Sequence, residues 1–261
     1  MRILLQLLAL AFVCSAGSAG AQTVSCGIVL MHGKWGMPQS PHLKTVADKL
    51  LPHCQVVLLE MPWSRQRMYD RPYGDALEQV RQAAASFRQS GVQWVAVGGQ
   101  SFGANAALAY MAQVGDVDAL IVLAPGHVPE NFYHDVSVRP GVDEAQRLVE
   151  AGKGETSVGL TDINQGRRRS IKASATSIWS YFSPHGLGNM SLSAQGAKRS
   201  VPVFWAIGNM DPLSGNASSA IFRSFPPHPD SIYHEVRADH ANTPDAASDA
   251  LASWVMSRLK R

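Results

Sequence analysis

The sequence predicts an α/β chain with three layers, α/β/α, built on a mainly parallel sheet of six strands. Three observations predict it. Apolar runs of strand length alternate with helical patterns from end to end. The runs are apolar at consecutive positions, as in strands covered on both faces. Capping and turn residues punctuate the joints between them.

The first 21 residues read as a removable leader: Arg2, an apolar run over 3–13, and Ala19-Gly20-Ala21 before Gln22. The apolar run is shorter than the roughly 20 residues that cross a bilayer. The expectation is an exported protein, periplasmic or secreted, with no stable membrane insertion. Residues 22–261 then form a single domain. The first strand reads GIVLM over 27–31. Ser40 and Pro41 open a helix whose inner face carries Leu43, Val46, Ala47 and Leu50. VVLL over 56–59 is the second strand, followed by a loop over 61–74 that holds Trp63, Tyr69 and Tyr73. Asp75 and Glu78 look like a capping pair for the next helix, which Gly91 ends. WVAV over 94–97 is the third strand, and Ser101 opens the helix after it. Strands four to six are 119–123, 203–207 and 231–236. Thr243 and Pro244 start a last helix that buries Leu251, Trp254 and Val255. The irregular stretch 126–200 reads as an elaborated loop or lid.

Composition excludes several classes. With 46% hydrophobic and 16% charged residues the chain is globular. A net charge of +3 and one short basic run, Arg167-Arg168-Arg169, make no nucleic-acid surface. No H-E-x-x-H occurs and the histidines lack paired spacing, so no metal is expected. Gly152-Lys153-Gly154 resembles a phosphate loop, but Ser or Thr should follow the lysine. No cofactor is implied. Beyond the leader only Cys26 and Cys54 remain, compatible with one disulfide or with two buried thiols.

The chemistry concentrates at Gly99-Gln100-Ser101-Phe102-Gly103, which matches G-x-S-x-G. In a chain with 22 glycines the pentapeptide alone is weak, but a strand precedes it and a helix follows, as the motif requires. A serine at such a joint sits in a strained turn with its hydroxyl presented outward. On these residues the chain resembles the α/β-hydrolase superfamily. The resemblance implies a triad in the order Ser, Asp, His, and the sequence offers Ser101, Asp211 and His240, each just beyond an apolar run. Asp239 is a rival acid, but a residue adjacent to His240 is poorly placed to orient its ring.

The resemblance also implies an oxyanion hole from the N–H of Phe102 and from the loop His32-Gly33-Lys34-Trp35-Gly36. Lys34 is the expected donor and Trp35 the reserve, while His32 braces the loop. Trp35, Met61 and Trp63 are candidate pocket residues. Only five residues separate the leader from the first strand, so the two leading strands of larger superfamily members are missing. The first two strands here then correspond to sheet neighbours in the family, which supports pairing Cys26 with Cys54. The function implied is a serine hydrolase that cleaves a carboxylic ester of a small-molecule acyl substrate through an acyl-enzyme. A peptidase, thioesterase or envelope-polymer hydrolase would share the machinery. A non-catalytic binding protein on the same fold is the alternative of another class.

Overall fold

The computed structural model describes residues 26–260, so the expected leader lies outside the described residues. In chain order the first elements are β1 (Cys26–Met31), α1 (Pro41–Leu50), β2 (Gln55–Leu59), α2 (Tyr73–Gln89), β3 (Trp94–Ser101) and α3 (Phe102–Gln113). Next come β4 (Ala119–Pro125), α4 (Pro129–Phe132), α5 (Arg139–Glu150), β5 (Ser157–Asn164), β6 (Arg167–Ser174) and α6 (Ala175–Phe182). The chain closes with α7 (Met190–Gln195), β7 (Val203–Gly208), α8 (Asn216–Arg223), β8 (Ile232–Val236) and α9 (Thr243–Leu259).

The six predicted runs form one sheet in the order β2-β1-β3-β4-β7-β8, with every neighbouring pair parallel. Both faces are covered, and consecutive residues feed different cores. Ile28 and Leu30 pack with Leu43 and Val46 of α1 and Leu251 and Trp254 of α9. Val29 and Met31 join Leu77 and Val80 of α2 and Leu108 of α3 on the other side. This is why the strands are apolar at every position. The edge strands are the exception, with Val57 of β2 37% exposed and Ile232 of β8 41%.

The chain leaves β1 for β2 on one side and returns to β3 on the other. Loops after β1 and β3 therefore diverge around a crevice at the carboxyl end of the sheet, where open parallel sheets bind ligands. At the opposite end Cys26 and Cys54 form a disulfide with Cα atoms 4.8 Å apart. It staples the start of β1 to the start of β2, whose residues Gly27 and Gln55 are in register.

Two helix starts differ from expectation. Pro72, extended at φ −60° and ψ 161°, is the N-cap of α2, so Asp75 lies inside its first turn, where its charge faces the positive end of the helix dipole. Asn242 precedes α9, and Thr243 is its first helical residue. The stretch 126–200 is more ordered than a loop. It folds as α4 to α7 with an antiparallel hairpin, β5–β6, between α5 and α6. Ile178, Tyr181 and Phe182 of α6 are buried in the same core as β1 and α3, so this region is packed down as a cap on the sheet.

Candidate active site

Ser101 is the last residue of β3 and sits at φ 56° and ψ −115°, backbone that a residue with a side chain rarely adopts. The turn is wedged against the end of β1. A Cβ at Gly99 would lie 2.3 Å from the Met31 carbonyl oxygen, and one at Gly103 would lie 2.2 Å from it. Only glycine permits that approach, which explains both glycines of the motif. Ser101 occupies the N-cap position of α3 but makes no side-chain cap bond. Its hydroxyl turns to His240 instead.

His240 follows β8 and bridges the other two groups. Its Nδ1–H donates to Asp211 Oδ2 at 2.7 Å, and the Ser101 hydroxyl donates to Nε2 at 2.9 Å. A carboxylate only accepts, so Nδ1 carries the ring proton and Nε2 offers its lone pair to the hydroxyl. Asp211, beyond β7, is 3% exposed and its other oxygen accepts from the Leu213 N–H at 2.8 Å. Asp239 is occupied elsewhere. It accepts from the backbone and side chain of Asn242, and these bonds hold its carboxyl below the usual range.

Phe102 is the first residue of α3, so its N–H has no partner within the helix. The loop after β1 lies alongside it, since a Cβ on Gly33 would stand 3.1 Å from Ser101 Cβ. His32 is fully buried and ties this loop down. Its Nδ1–H donates to the Gly33 carbonyl at 2.8 Å and its Nε2 accepts from the Met61 N–H at 3.1 Å. Burial pushes its pKa down, in keeping with a neutral ring. Two expectations need correction. The Trp35 N–H is spent on the Trp63 carbonyl at 2.9 Å, which removes Trp35 as a reserve oxyanion donor and leaves Lys34. Met61 and Trp63 do not line the cavity, and neither does Trp35. Met61 and Trp63 are fully buried in the core, where the Trp63 ring stacks on Phe102 at 4.6 Å and its Nε1 donates to the His32 carbonyl.

A cavity of about 380 Å³ opens beside Ser101 and His240. Its apolar wall includes Phe132 and Ile163 of the cap with Met210 and Leu213 of the loop after β7. Lys34 and His127 line it too.

No family model and no curated relative matches the sequence, but solved structures do. Est1E from Butyrivibrio proteoclasticus with ferulic acid bound superposes with a TM-score of 0.66 at 15% identity, covering 92% of each chain. A monoacylglycerol lipase from Paleococcus ferrophilus gives 0.62 at 14%, over 88% of this chain and 94% of that one. A thermostable carboxyl esterase from Bacillus coagulans in complex with glycerol gives 0.62 at 15%, over 90% and 89%. This chain has the α/β-hydrolase fold.

Within that α/β-hydrolase fold the cap supplies a residue that sequence reasoning missed. Asp162 of β5 is fully buried and accepts four hydrogen bonds: from Lys34 Nζ at 2.6 Å, Trp35 Nε1 at 2.8 Å, Tyr69 hydroxyl at 2.7 Å and its neighbour Ile163 N–H at 2.8 Å. It fastens the loop after β1 to the cap hairpin. Despite this partner, burial keeps the Lys34 ammonium below its usual pKa. A signal existed, because Val158, Leu160 and Asp162 are the inward positions of an alternating strand. His127 was also missed. It follows β4 directly, and nothing in its local sequence distinguishes it from a surface-loop histidine.

Proposed function

We propose that the protein is a serine hydrolase that cleaves carboxylic esters through an acyl-enzyme. The observation that carries this reading is the continuous chain from Ser101 hydroxyl to His240 to Asp211, at 2.9 and 2.7 Å. The likeness to structures of a carboxyl esterase and a monoacylglycerol lipase supports esters as the substrate class.

The chemistry follows from the geometry. His240 Nε2 takes the proton as Ser101 Oγ bonds to the ester carbonyl carbon. Asp211 holds the ring in the tautomer that can accept and stabilises the imidazolium. The carbonyl oxygen becomes an oxyanion held by the N–H groups of Phe102 and Lys34, aided by the N-terminal end of α3. Collapse expels the alcohol, which leaves with the proton from His240. Water then attacks the acyl-serine with His240 again as base, releasing the acid and restoring the hydroxyl. The leader expected over 1–21 supports an exported location for this activity.

A fluorophosphonate probe tests the reading. Wild type is expected to label on Ser101 and hydrolyse short-chain esters, and Ser101→Ala to do neither. Folded wild type that neither labels nor hydrolyses esters points to a non-catalytic binding protein. Parallel thioester and peptide substrates check the assignment to esters.

A further inference from the structure

Gln100 stands between Gly99 and Ser101 at the end of β3 and is only 9% exposed. The alternation of the strand decides where its side chain goes. Val95 and Val97 pack with Val80 of α2 and Leu108 of α3, whereas Ala96 packs with Leu43 of α1 and Leu251 of α9. Gln100 is an even number of residues from Ala96, so it shares the α9 face. An apolar residue would be at home on that face, and a buried amide there needs a partner. Its Nε2 donates to the Ala241 carbonyl at 3.2 Å. A carbonyl only accepts, which fixes the orientation of the amide.

Ala241 is the residue after His240. The segment 239–242 links β8 to α9, and its flanks Asp239 and Asn242 are exposed. Its internal bonds are local. The Asp239 carboxylate accepts from the backbone and side chain of Asn242, and the Asp239 carbonyl accepts from the N–H and hydroxyl of Thr243. Beyond this segment and α9, its hydrogen bonds among the described residues are three. His240 bonds to Asp211 and to Ser101, and Ala241 accepts from Gln100. Two links side by side thus join the same two short peptides: Gln100 to Ala241, and Ser101 to His240.

We propose that Gln100 is a positioning residue for His240, holding the loop after β8 so that the ring stays against the Ser101 hydroxyl. This rests on the serine-hydrolase reading above. The imidazole works twice in acylation, taking the serine proton and then giving it to the departing alcohol. Asp211 sets the tautomer through Nδ1, but a single hydrogen bond leaves the ring free to pivot about that contact. The Gln100 bond fixes the backbone one residue further on and removes that freedom. Gln100 is not among the residues that line the cavity, so its effect on substrate passes through His240.

Gln100→Met tests this, because methionine keeps the length of the side chain and loses its N–H groups. kcat and KM are measured on an alkyl ester and on the 4-nitrophenyl ester of the same acid, with thermal melting and fluorophosphonate labelling of Ser101 in parallel. On the alkyl ester kcat/KM is expected to fall roughly ten- to a hundredfold, with the loss in kcat and KM little changed. 4-Nitrophenolate leaves without needing a proton, so the loss on that ester is expected to be several times smaller. An equal loss on both esters marks a merely structural role. That result, a loss lying in KM, or a folded variant within about twofold of wild type overturns this inference alone. If Gln100→Met does not melt cooperatively, Gln100→Ala takes its place; if neither folds, Gln100 is structural and the inference falls. Wild type in which Ser101 fails to label and no ester turns over overturns the hydrolase reading and this one with it.

Discussion

Replacing Asp162 by asparagine probes how the cap is fastened to the loop after β1. The carboxylate is fully buried with four donors on it, one of them a cation. Asparagine keeps one acceptor oxygen and turns an NH2 toward groups that are themselves donors. Lys34 Nζ, with a side chain only 3% exposed, is left with the Ile163 carbonyl as its remaining partner. Breaking a buried ion pair from one side costs about 3–5 kcal/mol. For a domain of this size that lowers Tm by roughly 6–20 °C. Lys34→Met is expected to cost less, about 1.5–3 kcal/mol, because Asp162 keeps three donors when the ammonium is removed. Urea denaturation of wild type, both single variants and the double variant measures the asymmetry. The double variant is expected to lose less than the two singles added together, since neither charge is then stranded. A Lys34→Met as costly as Asp162→Asn, or an Asp162→Asn within about 1 kcal/mol of wild type, refutes the reasoning.

Other consequences follow from the same contacts. Gly126→Ala places a Cβ 2.9 Å from Ser101 Oγ and 3.2 Å from His240 Cε1. Ester turnover is expected to fall roughly a hundredfold or more with Tm little changed, measured by initial rates beside thermal melting. The disulfide closes a loop between residues 28 apart in sequence. Its reduction, or Cys26→Ser with Cys54→Ser, is expected to cost about 3–4 kcal/mol, seen as a lower urea midpoint. His32 and His127 have pKa values lowered by burial, the latter further by the Lys34 charge. In the unfolded chain they return to about 6.5 and take up protons that the folded protein resists. Their contribution is thus complete above about pH 6.5 and declines as pH falls below it. Urea midpoints at pH 7.5 and 5.5 are expected to show that decline, with a smaller slope in His127→Phe; an unchanged slope contradicts it.

The sheet was legible in the sequence because β1, β4 and β7 are apolar at every position and β3 is apolar from Trp94 to Gly99, the pattern of doubly covered strands. Ser101, Asp211 and His240 were legible because a parallel sheet delivers its strand ends to one rim, so three distant peptides needed no long-range information to be grouped. The cap was not. Arg167, Arg168 and Arg169 fall in the stretch that reads as an elaborated loop, yet they open β6, whose ladder partners include Asp162. Their exposure hid a strand whose inward positions are few. Met61 and Trp63 were misplaced for a related reason. An apolar side chain in a loop near the crevice serves equally as wall or as core, and the choice was made by α6, whose Tyr181 packs edge-on against Trp63 at 6.3 Å. The His127 ring is held in one tautomer by a carbonyl 54 residues away, which no local pattern encodes.

The most direct measurement is the mass of the peptide bearing Ser101 during turnover of a slow ester, quenched in acid within the first catalytic cycle. This peptide is expected to gain the mass of the acyl group, in amounts matching a burst of released alcohol, and Ser101→Ala to show neither. Turnover by folded wild type with the acyl group absent from Ser101, or attached to another residue, contradicts the acyl-enzyme.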